Sequence, residues 1–518
     1  MALRDTNTGI ALAVVAGTLA LEALRRYLSK PQKDSELAHP PGPPPLPLVG
    51  NTFGISLKEP WVTYEEWSKQ YGDIVYTKIL GQDVVVINSL EVAKDMIDRR
   101  SNIYSDRAQY QSYSAYGLLF DTLFLPYGDE WRFHRRILHQ VFRPDAIFAF
   151  EDIQKRKAMQ LVQHLLSAPR EFIRHLHTFS AGVVLDAVYS YDVKNLEDPF
   201  VKHIKEAGDR VTLVCSPQTS LLLGLFPFVK YIPTWLPGGS LNVKDFHKCI
   251  KRAQDAPFVN LQRKLDAGET PTCMATMPIP STTTYGDNEK TAEIFRGVCA
   301  TAFFGGTDTT AMTLTNLTLA LVLNPQVQER VMRDIEAVVG SDRLPDLSDR
   351  SALPYIDAIV REVHRWRPLV PLGFPHYTSS DDVYNGYFIP KGTTILANSW
   401  AMSRNPSRYP NPSVFDPSRH LAADGSLLPD ETNFLFGFGR RICPGRHFVN
   451  ATLWIAVATM LAVLRFGPPC DEHGNEKPVE QGNTFGVASQ AKPFECTIQL
   501  RGGVDKKVIE LLRAEQNS

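Results

Sequence analysis

The sequence predicts a mainly α protein with small β-sheets, an α+β class in which helices dominate. Three observations predict it. The stretch from about Lys290 to Leu323 keeps helical character and is apolar nearly all round, the mark of a buried helix. The middle third, Phe150 to Thr284, is helical in pattern though poor in motifs. Strand patterns are short: Ile74 to Ile79 with Val84 to Ile87 reads as a hairpin around Gly81-Gln82, and Asp381 to Ala397 as a further strand pattern.

Composition narrows the function classes. At 518 residues with 43% apolar, the chain has ample material for a sizeable core. A formal charge of −1 argues against a nucleic-acid partner bound through bulk charge. Seven cysteines without a C-x-x-C pair fit a reducing compartment better than a disulfide framework.

Taken in order, the chain opens with an uncharged run of sixteen residues, Thr6 to Leu21. As a helix it would span roughly 24 Å, short for a bilayer core of roughly 27 to 30 Å. Arg25, Arg26, Lys30 and Lys33 follow it, which leaves the body of the protein cytoplasmic if the run is an anchor. A cleaved secretory signal is the competing reading, with a weak positive n-region. Proline fills six of the eight positions from Pro40 to Pro47, the composition of a stiff polyproline II spacer. We therefore divide the chain into an anchor over 1–25, a hinge over 26–50 and one large domain over 51–518.

Trp61 to Tyr71 reads as a helix ahead of the first hairpin. Arg107 to Gly128 is rich in Tyr, Leu and Phe without a period, so it is either a buried irregular loop or a pocket wall. Trp131 and Arg135 share a helix face, where a guanidinium fork suits a carboxylate. Leu221 to Val229, broken by Gly224 and Pro227, is either core or a second surface patch that dips into lipid.

The centre of the long apolar helix is Gly305-Gly306-Thr307-Asp308-Thr309-Thr310, a run of poor helix formers between good ones. It reads either as two helices joined by a Gly-Gly turn or as one helix locally opened for function. Glu362 and Arg365 follow, three apart on a helix after Leu353-Pro354. His376 stands just before the Asp381 to Ala397 pattern, and Gly482 to Lys492 reads as a hairpin between apolar runs. Phe436-Gly437-Phe438-Gly439-Arg440-Arg441-Ile442-Cys443-Pro444-Gly445 is a glycine-rich loop with one sulfur near its end, just before an apolar helix from Phe448 to Leu464. A lone cysteine is ordinarily a buried free thiol. As a thiolate it is also a sufficient protein ligand for a haem iron, where it favours O–O cleavage.

Together Phe436, Gly439, Arg441, Cys443 and Gly445 resemble the haem-binding loop of the cytochrome P-450 monooxygenases. Gly305 to Thr310 is similar to that family's oxygen-activation motif, with Gly where Ala is frequent. Glu362-x-x-Arg365, completed by Arg419, resembles its buried charge triad. The resemblance covers about Pro40 to the end, and the chain looks most like fungal microsomal members. It implies one large helical domain with a long central helix over haem b, the iron ligated by the Cys443 thiolate. It further implies that Phe436 packs beside the sulfur, that Gly439 and Gly445 shape the loop so that backbone N–H groups can face it, and that Trp131, Arg135, His376 and Arg441 bind propionates. By the same resemblance Arg107 to Gly128 covers the substrate, and Asp308 and Thr309 relay protons to bound oxygen. Glu362, Arg365 and Arg419 play a structural part.

The expected activity is insertion of one oxygen atom from O2 into a hydrophobic small molecule, in secondary metabolism or oxidation of foreign aromatics or steroids. No flavin or dinucleotide fingerprint is present, so the expected partner is an NADPH-dependent flavoprotein reductase, docked on Arg132, Arg136, Arg440 and Arg446. The expected location is the endoplasmic reticulum membrane. A haem-thiolate isomerase or dehydratase and a non-catalytic binder of apolar ligands are the alternatives.

Overall fold

The computed structural model describes residues 37–515, apart from 110, 217, 218, 220, 221, 225 and 279–287. The expected anchor, Thr6 to Leu21, lies outside them. The longer helices are α1 (Pro60–Tyr71), α2 (Asp129–Phe142), α3 (Glu151–Ser167), α4 (Phe172–Tyr189), α5 (Pro199–Cys215), α6 (Val243–Asp266), α7 (Asn288–Leu323), α8 (Pro325–Val338), α9 (Pro354–Trp366) and α10 (Arg446–Val463). The strands are β1 (Ile74–Ile79), β2 (Gln82–Ile87), β3 (His376–Tyr377), β4 (Asp382–Tyr384), β5 (Tyr387–Ile389), β6 (Thr394–Ala397), β7 (Leu464–Gly467) and β8 (Thr497–Leu500). The helical class with small sheets is the one the sequence predicts.

The main core lies between α2, α3, α4, α7, α9 and α10. α7 passes through its middle as one continuous helix, so Gly305-Gly306 neither joins two helices nor locally opens one. Its threonines explain how so many hydroxyls are buried there. Thr301, Thr307, Thr309, Thr310, Thr313, Thr315 and Thr318 each donate to the carbonyl four residues back, at 2.7 to 3.0 Å. Gly306 serves packing: a Cβ there would come within 2.9 Å of Val184 on α4.

The sheets depart from the sequence reading in one respect. The Asp381 to Ala397 pattern divides into the β4–β5 hairpin and β6, which runs parallel to β2 in another sheet. The reason is local: Asn385 and Gly386 both take left-handed backbone conformations, φ 49° and 80°, and turn the chain back at once. β3 completes the larger sheet, in the order β1-β2-β6-β3.

The proline-rich stretch packs on that sheet. Tyr76 N donates to Pro41 O at 2.9 Å, His39 stacks on Tyr76 at 4.5 Å, and Gly50 bridges to Ile79. Gly42 is required there, since a Cβ would sit 1.8 Å from Tyr76 O. Leu223 and Val229 are buried against α5 and α6, while Leu222 and Phe228 are exposed, so the run is part core and part surface. Leu221 lies outside the described residues. Among the described residues, one helix is long and apolar enough to cross a membrane; it is α10, and it is 78% buried inside the protein.

Candidate active site

Three parts of the chain build the site: the loop around Cys443, the middle of α7, and a belt of buried cations. The loop follows a short 3-10 turn, Asn433–Phe436, and Gly437 and Gly439 enter the left-handed region at φ 92° and 55°. Cys443 N donates to Phe436 O at 2.8 Å, closing the loop on itself. Burial pushes the Cys443 thiol up, while the Gly445 and Arg446 N–H groups and the Arg135 guanidinium draw it down. Both N–H groups face the sulfur. Gly439 does something else: its N–H reaches the Asp98 carboxylate, and a Cβ would come within 2.5 Å of Ile97 O. Its absent side chain lets the loop lie against the helical turn at Ile97 and Asp98 that follows β2.

The Phe436 ring meets His364 of α9 edge-on, centroids 5.0 Å apart. Burial pushes His364 down to about 4, so the imidazole is neutral, and its Nε2 has no partner. This contact was not legible in the sequence.

The second part is the exposed patch in the middle of α7. Gly305 and Thr309, one turn apart, open on a cavity, while Thr307 and Thr310 are buried. A Cβ on Gly305 would meet nothing within 4 Å, so this glycine, unlike Gly306, leaves open space. The Thr309 hydroxyl donates to Gly305 O at 2.7 Å. Asp308 turns toward the neighbouring helices: its Oδ1 lies 3.7 Å from His177 Nδ1 on α4, and Gly208 on α5 lacks the Cβ that would strike Oδ2. The cavity, about 2680 Å³, runs from Phe304, Gly305, Asp308 and Thr309 out to residues 45–50. The Arg107 to Gly128 segment and the Thr484 to Ala488 turn line it, so the first is a pocket wall. The expected hairpin is present, with Thr484 N bonded to Gln490 O and Lys492 N to Gly482 O.

The third part is positive charge without a counterion. Arg441 donates to the carbonyls of Ser105, Thr122 and Leu125, and stacks on Trp131 at 4.5 Å, with Arg135 on the same ring at 5.8 Å. Burial, then the neighbouring Arg107, push the Arg441 guanidinium down to about 8. Arg107, which the sequence did not single out, is likewise held by the carbonyls of Leu123, Phe374 and Pro375, and burial takes it down to about 10. His376 Nδ1 lies 2.7 Å from Tyr104 O, and burial with Arg107 pushes the ring well below its usual value. Among the described residues no carboxylate forms an ion pair with Arg107, Arg135 or Arg441, and the Trp131 indole Nε1 is buried without a partner. An anionic, flat ligand carrying carboxylates fits this belt: it would offset the buried charge and take the indole N–H.

Behind the loop, Glu362 is fully buried and fully satisfied. Its carboxylate accepts from Arg365 at 2.7 and 2.8 Å, Arg419 at 3.1 Å, Asp416 N at 2.9 Å, and His420 Nε2 at 2.9 Å. Arg365 goes on to the carbonyls of Ser403, Pro412 and Val414, so the cluster ties α9 to the irregular stretch that leads to the Cys443 loop. His420 is a fourth member that sequence spacing gave no reason to include.

The family model for cytochrome P-450 matches residues 40–498. The chain is similar to cytochrome P-450 monooxygenase COX1 of Coprinopsis cinerea, 32% identical over 96% of this chain and 98% of that protein. It is similar also to cytochrome P-450 monooxygenase 105 of Postia placenta, 35% identical over 89% of each, and to tryptamine 4-monooxygenase of Psilocybe cyanescens, 34% identical over 88% of this chain and 92% of that one. A helical domain carrying one thiolate loop, and these relatives, define the class: the chain belongs to the cytochrome P-450 family and is an oxidoreductase of the monooxygenase type. That family uses haem b with a cysteine thiolate on the iron, draws on O2 and takes electrons from a redox partner.

Proposed function

We propose that this protein is a microsomal monooxygenase that inserts one atom of O2 into a hydrophobic, aromatic small molecule by hydroxylation or epoxidation. One observation carries the reading: the middle of a buried helix opens at Gly305 and, one turn on, Thr309 onto a largely apolar cavity that Phe304, Asp308 and Met312 also line, in a chain whose single thiolate loop is of the haem-binding kind. Cys443 is the iron's ligand, Phe436, Gly439 and Gly445 shape its loop, and Trp131, Arg135, His376 and Arg441 hold the propionates. Haem b, when bound, supplies the activation of dioxygen. The chain's own residues bind, orient and move protons. The Thr309 hydroxyl, bonded to Gly305 O at rest, is the donor nearest the open space. Asp308, between His177 and Gly208, is the inner end of a proton path from α4 and α5. Glu362, Arg365 and Arg419 fix the segment that carries the Cys443 loop.

Electrons come from NADPH through a separate flavoprotein reductase. Arg132, Arg136 and Arg440 are exposed, which supports docking on that face, although Arg132 is already paired with Asp129. Residues 1–25 anchor the chain in the endoplasmic reticulum membrane and the rest faces the cytoplasm, with the proline-rich stretch, bonded to the sheet through Pro41 and Gly50, part of the domain rather than a free hinge. Exposed Leu222, Phe228, Tyr231 and Trp235 support a second contact with lipid. The relative named for tryptamine supports an aromatic substrate and a place in secondary metabolism.

The test is oxygen uptake with NADPH, reductase and a panel of aromatic substrates. Substrate-dependent uptake matched by oxygenated product is expected. Turnover without oxygen would point to an isomerase or dehydratase. Thr309→Ala is expected to keep NADPH oxidation while product falls roughly tenfold or more. Unchanged coupling would remove Thr309 from the proton path.

A further inference from the structure

The cavity holds two inner carboxylates, and they differ. Asp308 faces His177. Asp121, only 9% exposed, sits in the wall opposite α7 with no cation beside it. Its Oδ1 accepts from Leu123 N at 2.9 Å, and the hydroxyl of Thr301 on α7 lies alongside. Among the described residues no Lys, Arg or His forms an ion pair with it. Burial pushes its carboxyl up to about 6, against the pull of the Leu123 N–H and the Thr301 hydroxyl. A buried carboxylate without a counterion is costly, and structure alone does not call for one at this point: an asparagine would accept the same Leu123 bond.

What surrounds it suits a particular ligand. Phe124 follows it in the same turn, its ring 4.8 Å from that of Tyr113, and Phe304 stands one turn along α7 from Thr301. All three line the cavity. Aromatic faces beside a carboxylate favour an organic cation attached to an apolar body. Thr301 and Thr309 are eight residues apart on α7, roughly 12 Å along its axis.

We propose that Asp121 is the subsite for a protonated amine on the substrate, placing the ammonium roughly two helical turns from the oxygen-activating patch at Gly305 and Thr309. The inference rests on the monooxygenase reading above and narrows its substrate class to arylalkylamines. The carboxylate pairs with the ammonium at one end, and the aryl group extends along α7 toward Thr309.

The test uses the full-length, haem-loaded protein and two probes of nearly equal shape, 4-phenylbutylamine and 4-phenylbutan-1-ol, titrated by the Soret shift. The reduced carbon monoxide spectrum is recorded first on every variant; its failure in the wild type would sink the monooxygenase reading itself, apart from this proposal. The amine is expected to bind at least about tenfold tighter than the alcohol. It should shift the Soret band to the blue, because its nitrogen is held away from the iron. Asp121→Asn should abolish the preference while the alcohol still binds, and Asp121→Ser serves if the Asn variant lacks the carbon monoxide band. Equal affinities, a red shift from nitrogen on the iron, or a preference that survives both substitutions would overturn the proposal.

Discussion

Two buried clusters of charge hold the region of the Cys443 loop, and they are built on opposite plans. Around Glu362, two guanidiniums and an imidazole surround one carboxylate, and every oxygen is used. Around Trp131, Arg107, Arg441 and a neutral imidazole bond only to backbone carbonyls, Arg135 lies over the indole ring, and the indole N–H meets nothing. The first cluster is complete within the chain. The second is complete only with an anion from outside it. The difference separates residues that hold the fold from residues that hold the cofactor, a distinction that burial alone does not make.

The largest effect should come from breaking the complete cluster. Glu362→Ala leaves Arg365, fully buried, without its countercharge, which costs about 3–5 kcal/mol. Chemical denaturation should show that loss whether or not haem is bound. Arg441→Leu should behave differently: haem affinity falls at least about tenfold, while the haem-free protein moves far less than with Glu362→Ala. Haem transfer to a competing apoprotein measures the first quantity and thermal unfolding the second. If both substitutions destabilised the haem-free protein equally, the contrast between the clusters would be gone.

Smaller effects sharpen it. Trp131→Phe removes the unpartnered indole N–H and keeps the ring, so haem affinity should drop several-fold, about 1 kcal/mol, with stability otherwise unchanged. Acid should act on the two clusters in separate windows: His376, held neutral by burial and by Arg107, costs stability once pH falls below the ordinary imidazole value of 6.5, and Glu362 acts lower. Burial would raise the Glu362 carboxyl, but Arg365 and His420 outweigh it and hold it below the usual carboxylate value of 4.5. Its contribution is therefore complete above pH 4.5 and lost as pH falls through the lower folded value, where the unfolded chain already binds the proton. A titration of unfolding free energy in that window should show a downward slope toward acid that Glu362→Gln makes shallower.

Much of this was legible in the sequence because it depends on chain-local pattern. The all-round apolar character of α7, the Glu362-x-x-Arg365 spacing and the Cys443 loop are each contained in a few consecutive turns. What escaped depends on tertiary contact. His420 joins Glu362 across 58 positions, Arg107 reaches Phe374 across 267, and His364 meets Phe436 from another element. None has a local period to betray it. The neighbouring glycines at the centre of α7 show the same limit: both look like room for a ligand, yet Gly305 faces open space and Gly306 faces Val184. Which face of a helix a glycine occupies is set by its neighbours in space. The strand pattern after Asp381 erred for the opposite reason, since the Asn385-Gly386 turn was there to be read and outweighs the strand propensity around it.

The account stands or falls on the sulfur. The most direct measurement is the difference spectrum of the reduced, haem-loaded protein with carbon monoxide, recorded for the wild type and for Cys443→Ser. The account predicts the red-shifted Soret band of a thiolate-ligated haem in the wild type and its loss in the variant. The same band in Cys443→Ser, or none in wild-type protein that has taken up haem, would contradict it.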